Sequence, residues 1–406
     1  MDALTTPSNW QRVRLGDIAE IKRGASPRPI ENPKWFCTNS NVGWVRISDI
    51  SKNSRFLYKT AQKLSKKGIE KSRFVKQNSL IMSICATIGK PIITKIDTCI
   101  HDGFVVFENL KIDLNYLYYF LCYIEKEWLE SGQQGSQVNL NVDLIKNKEV
   151  FYPKDLNEQI AIADILSGLD NYLHALDSLI LKKESVKKAL RIKMLNQILA
   201  SDGVEFRKLG DIILSLKTGL NPRKFFKLNT PNANNYYVTV RELEGYTIKF
   251  THQTDRIDDN ALSLCLKRSN LEKDDILFSG TGTIGKASII KENPNNWAIK
   301  EGIYSIKPNK KIVFPRFLMF CFENLNIQND IKSKSFGGIV KSISMNNLQQ
   351  IQIPLPPLNE QIAIADILSG LDKEIASLKN KKRQFENIKK ALNHDLMNAK
   401  IRVLKK

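Results

Sequence analysis

The sequence lacks the residue clusters on which most enzymes depend. Its four histidines are His101, His174, His252 and His394. They are widely dispersed, and none has the i,i+4 partner typical of a metal site on a helix. The sequence contains no Gly-x-Ser-x-Gly nucleophile elbow, no Gly-rich cofactor loop followed by a helix and no Asn/Asp-Pro-Pro-aromatic methylase motif. We therefore predict no catalytic residue, no metal and no cofactor, in a protein that binds rather than catalyses.

Paired cysteines and long apolar runs are also missing. The 6 cysteines are scattered, without the paired spacing of a zinc site or a redox motif, and they fit buried, reduced thiols. No apolar segment follows Met1, and no window approaches the roughly 18 uncharged apolar residues that a membrane span requires. We expect a soluble, cytoplasmic protein that has no membrane partner.

Acidic residues are too few to balance the basic ones. The chain has 62 Lys and Arg against 42 Asp and Glu, which leaves a formal net charge of +20. Such a surplus costs self-repulsion unless a polyanion is bound, so nucleic acid is the leading candidate partner. Lys-rich proteomes and ribosome-associated proteins also give such values, which leaves a less specific explanation open.

At 406 residues the chain is too long for one core and predicts two or three domains.

What the chain has in abundance is internal repetition. The string LNEQIAIADILSGLD occurs at residues 156–170 and again, unchanged, at 358–372. Earlier anchors also recur: Leu15–Ile18 as Leu209–Ile212, Thr-Ile-Gly-Lys at 87–90 and 283–286, and Asp102-Gly103-Phe104 as Glu301-Gly302-Ile303. Between these anchors the two halves have almost nothing in common. The pattern indicates two homologous halves that share a framework and differ in what it displays.

Each half opens with roughly 140 residues of short apolar segments between Gly, Asn and Pro, which is typical of short strands and turns. A late stretch in each, 114–128 and 314–325, is apolar all round and predicts a helix packed into its own domain. We predict an α/β fold class, with two mixed α/β, β-rich globular domains.

After each copy of the repeated string, apolar residues follow the alternating spacing of a coiled coil. Asn157 and Asn359 are predicted N-caps, and Gly168 and Gly370, which cost about 1 kcal/mol each relative to Ala, suggest a close backbone approach. The predicted helix-pair interface consists of Leu166, Leu169, Leu173, Leu176, Ile180, Leu190, Leu368, Leu371, Ile375, Leu378, Phe385 and Leu392.

The first of these helices, about 66 Å long if straight, needs a partner of equal length. The second helix, packed antiparallel, is the simplest partner and predicts a pseudo-twofold molecule. The predicted domains are a head at 1–150, a helical region at 151–203, a second head at 204–352 and a helical region at 353–406. In the alternative, each apolar stripe packs on its own head. The lysine runs at 182–188 and 381–390 are interpreted as solvated faces or as surfaces for an acidic partner.

The stretch at 280–286 satisfies the phosphate-loop pattern, but Ala287 stands where a Mg²⁺-binding Ser or Thr belongs. A β-branched run follows it, whereas a nucleotide loop is followed by a helix. We interpret it as a Gly-rich turn between strands, with Lys90 and Lys286 placed to meet a DNA phosphate. An NTPase stays as an alternative.

Basic residues interleaved with polar and aromatic ones supply the phosphate clamps and base-edge donors that DNA binding needs. The segments 135–139 and 337–342 are predicted as polar loops. The candidate DNA-binding residues are Arg23, Arg28, Arg46, Ser48, Lys90, Ser136, Gln137, Asn139, Arg223, Lys224, Arg241, Lys286 and Lys341.

In combination, these motifs resemble the specificity subunit of type I restriction–modification systems. Two variable heads each open with Leu-Gly-Asp-Ile, each contain Thr-Ile-Gly-Lys, and each end in a Leu-x-Glu-Gln-x-x-Ile helix. The resemblance covers the chain from Trp10 onward. It implies two target-recognition domains that each bind one half of a bipartite, asymmetric site in double-stranded DNA, and helices that act as a ruler. It also implies two bound methyltransferase (modification) subunits, added restriction subunits and no catalytic residues in this chain. A scaffold whose heads have lost DNA binding remains the other alternative.

Overall fold

The computed structural model describes residues 8–51, 55–131, 140–200 and 204–403. The chain divides into two compact units, one of residues 1–177 with 380–406 and the other of residues 178–379. We call residues 8–153 head 1 and residues 204–355 head 2. The long helices α7 (Leu156–Ala200) and α14 (Leu358–Met397) follow the heads, and each contributes to both units.

Head 1 consists of short strands and short helices. Its strands are β1 (Trp10–Arg14), β2 (Glu20–Arg23), β3 (Gly43–Val45), β4 (Phe56–Leu57), β5 (Gln62–Lys63), β6 (Arg73–Val75), β7 (Leu80–Ser83), β8 (Pro91–Thr94), β9 (Thr98–Ile100), β10 (Phe104–Glu108) and β11 (Glu149–Pro153). Its helices are α1 (Leu15–Ile18), α2 (Ile47–Ser51), α3 (Lys66–Glu70), α4 (Leu114–Tyr123), α5 (Glu125–Ser131) and α6 (Val142–Asn147), with a 3-10 turn at Pro33–Trp35.

Head 2 has the same mixture of elements. Its strands are β12 (Glu205–Lys208), β13 (Ile213–Thr218), β14 (Asn235–Val238), β15 (Leu243–Glu244), β16 (Thr247–Ile248), β17 (Arg256–Ile257), β18 (Ile276–Ser279), β19 (Ala287–Ile289), β20 (Trp297–Ile299), β21 (Ile303–Pro308) and β22 (Gln352–Leu355). Its helices are α8 (Leu209–Ile212), α9 (Pro222–Phe225), α10 (Asp259–Ser269), α11 (Pro315–Cys321), α12 (Leu325–Ser333) and α13 (Met345–Gln349).

The two heads share the central strands of their sheet topology and differ at the sheet edges. In head 1 the strand order is β2-β10-β7-β8-β4 in one sheet and β5-β3-β9-β6 in another, and β1 pairs with β11. In head 2 the corresponding orders are β13-β21-β18-β19 and β17-β14-β20, and β12 pairs with β22. The pairs β3·β9 and β14·β20 are both parallel, whereas the pairs that join the larger sheets are antiparallel apart from β4·β8. The predicted internal repeat and the two mixed α/β heads are confirmed.

The apolar stretch at 114–128 forms two helices rather than the single one predicted, whereas the stretch at 314–325 forms one, α11, which ends at Cys321. In head 1, α4 ends at Tyr123 and α5 begins at Glu125; α4 buries its residues from Tyr116 to Leu121. In head 2, the side chain of Asn324 accepts the N–H groups of Asn326 (2.8 Å) and Ile327 (3.4 Å), which starts α12 as a separate helix. In head 2 a polar capping side chain thus separates α12 from α11.

The long helices begin one or two residues earlier than predicted. The carboxylate of Asp155 accepts the N–H of Asn157 (2.9 Å), so Asp155 caps α7 and Asn157 lies in the first turn. In the second copy, Asn359 lies in the first turn of α14, which follows Pro357. The prediction of Asn N-caps is therefore wrong, because an earlier side chain or proline already defines each start.

The repeated string is tied to each head by one buried glutamine. Gln159 accepts the N–H of Asp113 (2.8 Å) and donates to the carbonyl of Pro153 (2.8 Å). Its copy Gln361 accepts the N–H of Phe314 (2.8 Å) and donates to the carbonyl of Pro356 (2.9 Å). In both units this side chain therefore joins the start of a long helix to the start of a core helix.

Gly168 and Gly370 make no close backbone approach. A Cβ atom built on either residue meets no described atom within 4 Å. The prediction of tight packing there is wrong, since both glycines lie on the exposed side of their helices.

Within the first unit, α7 and α14 run antiparallel. Asp170 forms an ion pair with Lys389, and Asp177 forms one with Lys382 (2.6 Å). Rising residue numbers on one helix therefore meet falling numbers on the other.

The second unit repeats this pairing. Lys187 contacts Asp372 (2.5 Å) and Lys183 contacts Glu374 (2.8 Å). Four lysines of the predicted runs thus bind acids on the opposite helix of the same chain, a role that neither sequence interpretation included. The predicted antiparallel coiled-coil pairing of two long helices is confirmed.

The predicted interface residues differ in burial. Leu166, Leu176, Ile180, Leu368 and Ile375 are buried, and Leu169, Leu173, Leu190, Leu371, Leu378, Phe385 and Leu392 are half-buried. Leu166 and Leu368 belong to the hydrophobic cores of their own heads. The start of each apolar stripe therefore packs on its head.

Candidate nucleic-acid interface

Head 1 brings four of the candidate DNA-binding residues to one cleft. The cleft, about 380 Å³ in volume, is lined by Ile30, Arg46, Ile47, Ser48, His101 and Asp102. We call it the Asp102 cleft. Arg23 and Arg28 reach it through Asp102: the side chain of Arg23 donates to its carbonyl (2.7 Å), and that of Arg28 to its carboxylate (2.8 Å).

The backbone around the Asp102 cleft is fixed by a buried carboxylate. Asp49 accepts the N–H of Arg46 (2.9 Å) and the N–H of Ala61 (3.0 Å), and it is 6% exposed. Because Asp49 satisfies two main-chain donors, the chain turns sharply after β3. That turn presents the side chains of Arg46 and Ser48 to the cleft.

The electrostatics of the cleft hold Asp102 ionised. Burial alone would raise the pKa of Asp102, but the Ser26 hydroxyl (2.8 Å) and the charge of Arg28 outweigh it, and the pKa lies below its usual value. The carboxylate therefore orients Arg28, whose side chain is 71% exposed, so that its remaining donors face outward.

His101 is held neutral in the same cleft. Burial lowers the pKa of His101, and the positive charge of Arg46 lowers it further. Its Nδ1 accepts the N–H of Gly103 (2.9 Å), which leaves the ring proton on Nε2. The cleft thus presents guanidinium, hydroxyl and imidazole donors, the groups that bind phosphates and base edges.

Lys90 lies at the end of the turn between β7 and β8, where its carbonyl accepts the N–H of Ser83 (3.1 Å). That turn is next to the cleft, since the N–H of Ile84 donates to the carbonyl of Gly103 (2.9 Å). Ser136, Gln137 and Asn139 lie outside the described residues.

In head 2, Lys286 and Lys341 lie on two adjoining turns. The N–H of Gly282, in the Gly-rich turn, donates to the carbonyl of Lys341 (2.8 Å), and Thr281 bridges to Ser342. Lys286 and Lys341 are both exposed. The structure therefore places these two predicted residues on one surface.

The remaining candidates of head 2 lie elsewhere. Arg241 donates to Asp255 (2.8 Å), and its side chain is 53% exposed. Arg223 and Lys224 belong to α9, and only their backbone is described.

The Gly-rich turn at 280–286 is not built to bind a nucleotide. It joins β18 to β19, which are antiparallel, so a strand follows where a phosphate loop has a helix. Its N–H groups already donate within the protein: Gly280 to the carbonyl of Gly302 (2.8 Å), and Gly285 to that of Ser279 (2.9 Å). Donors used in this way are not available to phosphate oxygens, so the NTPase alternative is not favoured.

The two halves of the chain each match one family of known proteins. A family model for the type I restriction modification DNA specificity domain matches the chain twice, over residues 7–183 and 201–387. The chain belongs to this specificity-domain family.

Individual relatives resemble it along most of their length. A protein of Methanocaldococcus jannaschii that is named for the type I restriction enzyme MjaX specificity subunit is 26% identical over 420 residues, covering 98% of this chain and 95% of the relative. The MjaVIII specificity subunit of the same organism is 24% identical over 425 residues, covering 99% and 95%. The crystal structure of the S subunit from M. genitalium shares 17% identity with a TM-score of 0.60 and covers 97% of each chain, which shows a common fold.

Sequence reasoning missed several residues of this specificity-domain protein. At the centre of the cleft, Asp102 appeared only in the anchor that repeats as Glu301, and His101 appeared only among the four dispersed histidines. A repeated Asp/Glu-Gly step beside variable neighbours was the signal that could have identified them. Ser26 carried no such signal, because its contact with Asp102 depends on the fold.

In the part of the chain that the structure describes, no group of three or more His, Cys, Asp or Glu residues is placed to hold a metal ion. No helix in that part is both long and apolar enough to cross a membrane. Among the six free cysteines, Cys99, Cys265 and Cys321 are buried, while Cys37 is exposed and departs from the prediction of buried thiols.

Proposed function

We propose that this protein is the DNA-binding specificity subunit of a type I restriction–modification complex. In this proposal, head 1 and head 2 each bind one half of a bipartite site in double-stranded DNA. One observation carries it: a single backbone framework occurs twice, with different side chains at equivalent turns. Base sequence is read by side chains, whereas main-chain and phosphate contacts position the protein. Two different heads therefore predict two different half-sites and an asymmetric target.

We also propose that the antiparallel helices act as a ruler between the half-sites. Reading heads on one face of a duplex meet sites separated by about one helical turn of 34–36 Å, or a multiple of it. In this assignment, residues 1–150 and 204–352 read DNA, and the helical regions 151–203 and 353–406 set the spacer.

The proposed protein partners are two methyltransferase subunits. Apolar side chains of the repeated string stay exposed at matched positions in both copies. They are Leu156, Ile160 and Ile165, at 54%, 39% and 39%, and Leu358, Ile362 and Ile367, at 37%, 38% and 47%. Exposed apolar patches of this kind mark interaction sites, and one surface offered twice fits two copies of one partner. Restriction subunits join that core, and the partners perform the chemistry in the cytoplasm, with this chain non-catalytic.

The decisive experiment is to map DNA methylation in cells that carry this chain with its partner subunits. Methylation-sensitive sequencing should give one asymmetric motif with a non-specific spacer. Replacing residues 206–350 with the corresponding head of a relative should change one half of the motif only. A complex that assembles without any methylation motif would support the scaffold alternative, and a change in both halves would contradict independent reading.

A further inference from the structure

A short hairpin of head 2 ends in an exposed apolar tip. It spans residues 336–342, with the sequence Phe-Gly-Gly-Ile-Val-Lys-Ser. Ile339 is fully exposed, and Val340 and Phe336 are 61% and 57% exposed. Two adjacent β-branched apolar residues at a loop tip are unfavourable in water unless something covers them.

The base of this hairpin is rigid. Phe336 and Ser342 exchange two main-chain hydrogen bonds of 2.8 Å each. Next to them, the buried Ile343 donates its N–H to the carbonyl of Gly280 (2.9 Å) and accepts the hydroxyl of Tyr304 (2.6 Å). These hydrogen bonds hold the base of the hairpin and keep the tip from folding back onto the head. The exposure of the tip therefore follows from the structure of its base.

The turn itself requires glycine. Gly337 has a φ of +107°, and a Cβ there would lie 2.5 Å from the carbonyl oxygen of Val340. An L side chain at this position would be strained and would displace the tip. The sequence therefore maintains the conformation that exposes Ile339.

The two segments that meet at the tip carry lysines and no acidic residue. Residues 331–343 contain Lys332, Lys334 and Lys341 without any Asp or Glu, and residues 279–291 contain Lys286 and Lys291, again without an acid. The two segments are hydrogen-bonded to each other through Gly282 and Lys341, and the charge of Lys334 is paired with Asp330 just outside them. The occupant that fits is a polyanion that also presents apolar groups, and double-stranded DNA has both.

We propose that Ile339 and Val340 make apolar contacts with the bases of the half-site bound by head 2. Lys286 and Lys341 contact the phosphates beside them. This inference rests on the proposed DNA-binding function and names the side chains that read sequence. Duplex DNA offers two apolar targets, the methyl group of thymine in the major groove and the base faces at an opened step.

The test uses the complex with its methyltransferase subunits and the DNA site mapped in cells. Ile339→Ser should raise the Kd for that site roughly tenfold, the size expected for losing one base contact. Its Kd for an unrelated duplex should stay unchanged. The matched control is Leu325→Ser, since Leu325 is 70% exposed on α12 of the same head, and it should change neither value. Both variants should melt at the wild-type temperature, because both side chains are on the surface.

Two DNA probes identify the contact. Uracil in place of thymine in the half-site of head 2 should reproduce the loss if Ile339 contacts a methyl group. 2-Aminopurine in that half-site should become more fluorescent with the wild type, but not with Ile339→Ser, if the tip opens a base step. Either result supports the inference, and the same probes in the other half-site should show no difference between the two proteins.

Three outcomes would overturn it. The first is specific binding by Ile339→Ser that equals that of the wild type, and the second is a loss confined to the half-site of head 1. The third is unchanged DNA binding combined with lost binding to anionic phospholipid vesicles, which would assign the tip to a lipid surface. Absence of any mapped site for the wild type is distinguishable from these, since it overturns the proposed function and this inference together.

Discussion

Head 1 and head 2 keep the residues that build a turn and change the residues beside them. Asp49 in head 1 and Glu242 in head 2 each accept the main-chain N–H three residues earlier, from Arg46 (2.9 Å) and from Thr239 (2.8 Å). The acid therefore recurs, while the residue whose N–H it accepts is a cation in one head and a small hydroxyl in the other. One residue therefore holds the turn in both heads, while its neighbour is free to differ. Two heads that read different DNA sequences need this division of roles.

The heads also differ inside their cores. Asp275, directly before β18, is 2% exposed and accepts the N–H of Glu272 (2.9 Å). Burial raises the pKa of Asp275 to about 6. The equivalent residue of head 1 is Ser79, whose N–H donates to the hydroxyl of Thr94 (3.1 Å). This position therefore carries an ionisable side chain in head 2 and a hydroxyl in head 1. The stability of the two heads should depend differently on pH.

The largest expected effect tests what the heads share. A Cβ on Gly24 would lie 2.0 Å from the carbonyl oxygen of His101, and one on Gly219 would lie 1.8 Å from that of Ile299. Because main chain would have to move, Gly24→Ala and Gly219→Ala should each lower the free energy of unfolding by more than about 4 kcal/mol. Urea denaturation followed by circular dichroism measures this. A head that accepts alanine would show that the framework is not shared at this strand.

The matched controls are Gly168→Ala and Gly370→Ala, whose added methyl groups meet no described atom within 4 Å. They lie inside helices, where alanine is favoured by up to about 1 kcal/mol, so both should stabilise the protein slightly. A large loss in these controls would mean that glycine replacement is harmful for another reason.

The next effect separates the heads by pH. The pKa of Asp275 is raised in the folded protein, so its proton is favoured there and stability falls as pH rises from about 4 through about 6. Asp275→Asn removes that loss and should be more stable than the wild type by about 3 kcal/mol at pH 7, with the gain shrinking as pH falls towards 4. Urea denaturation at pH 5, 6 and 7 measures it. A gain from Asp275→Asn that is independent of pH would contradict the assignment.

The smallest effect concerns the surface that both units offer to the proposed partners. Ile160→Asp and Ile362→Asp should each weaken one of the two methyltransferase sites about tenfold, because a charge would face an apolar contact. Native mass spectrometry of the assembled complex, together with calorimetric titration, counts the bound subunits. We expect equal losses from the two variants, since the residues occupy the same place in identical strings.

Leu181→Asp serves as the control for this experiment, because Leu181 is an exposed apolar residue of α7 (66%) that lies outside the repeated string. It should leave both sites intact. Equal weakening by Leu181→Asp would move the contact to another part of the helix.

Repetition made much of the fold predictable. The identical string, the Leu-Gly-Asp-Ile starts and the Thr-Ile-Gly-Lys turns located equivalent positions without any structure, and the alternating apolar spacing predicted the helix pair. For the ion pairs between the two helices, the sequence showed the lysine runs but not the acids that they meet. That Lys389 meets Asp170 and Lys187 meets Asp372 depends on the register of two helices far apart in sequence.

The site was predictable only in part, because loops far apart in the chain meet there. Arg46 and Arg28 were candidates from their type alone, but the carboxylate of Asp102 that orients Arg28 comes from the end of another strand. The segment at 337–342 was predicted as a polar loop, and that was wrong for Ile339, whose exposure follows from the anchored hairpin. Local pattern indicates residue types, whereas strand pairing decides which of them meet.

The buried glutamine of the repeated string has a consequence for how such proteins change. The groups that Gln159 and Gln361 bind in the heads are main-chain atoms, among them the N–H of Asp113 and the N–H of Phe314. A main-chain group is present whatever side chain the residue carries. A head can therefore change the side chains at Asp113 and Phe314 without losing the hydrogen bonds that this glutamine makes to the main chain.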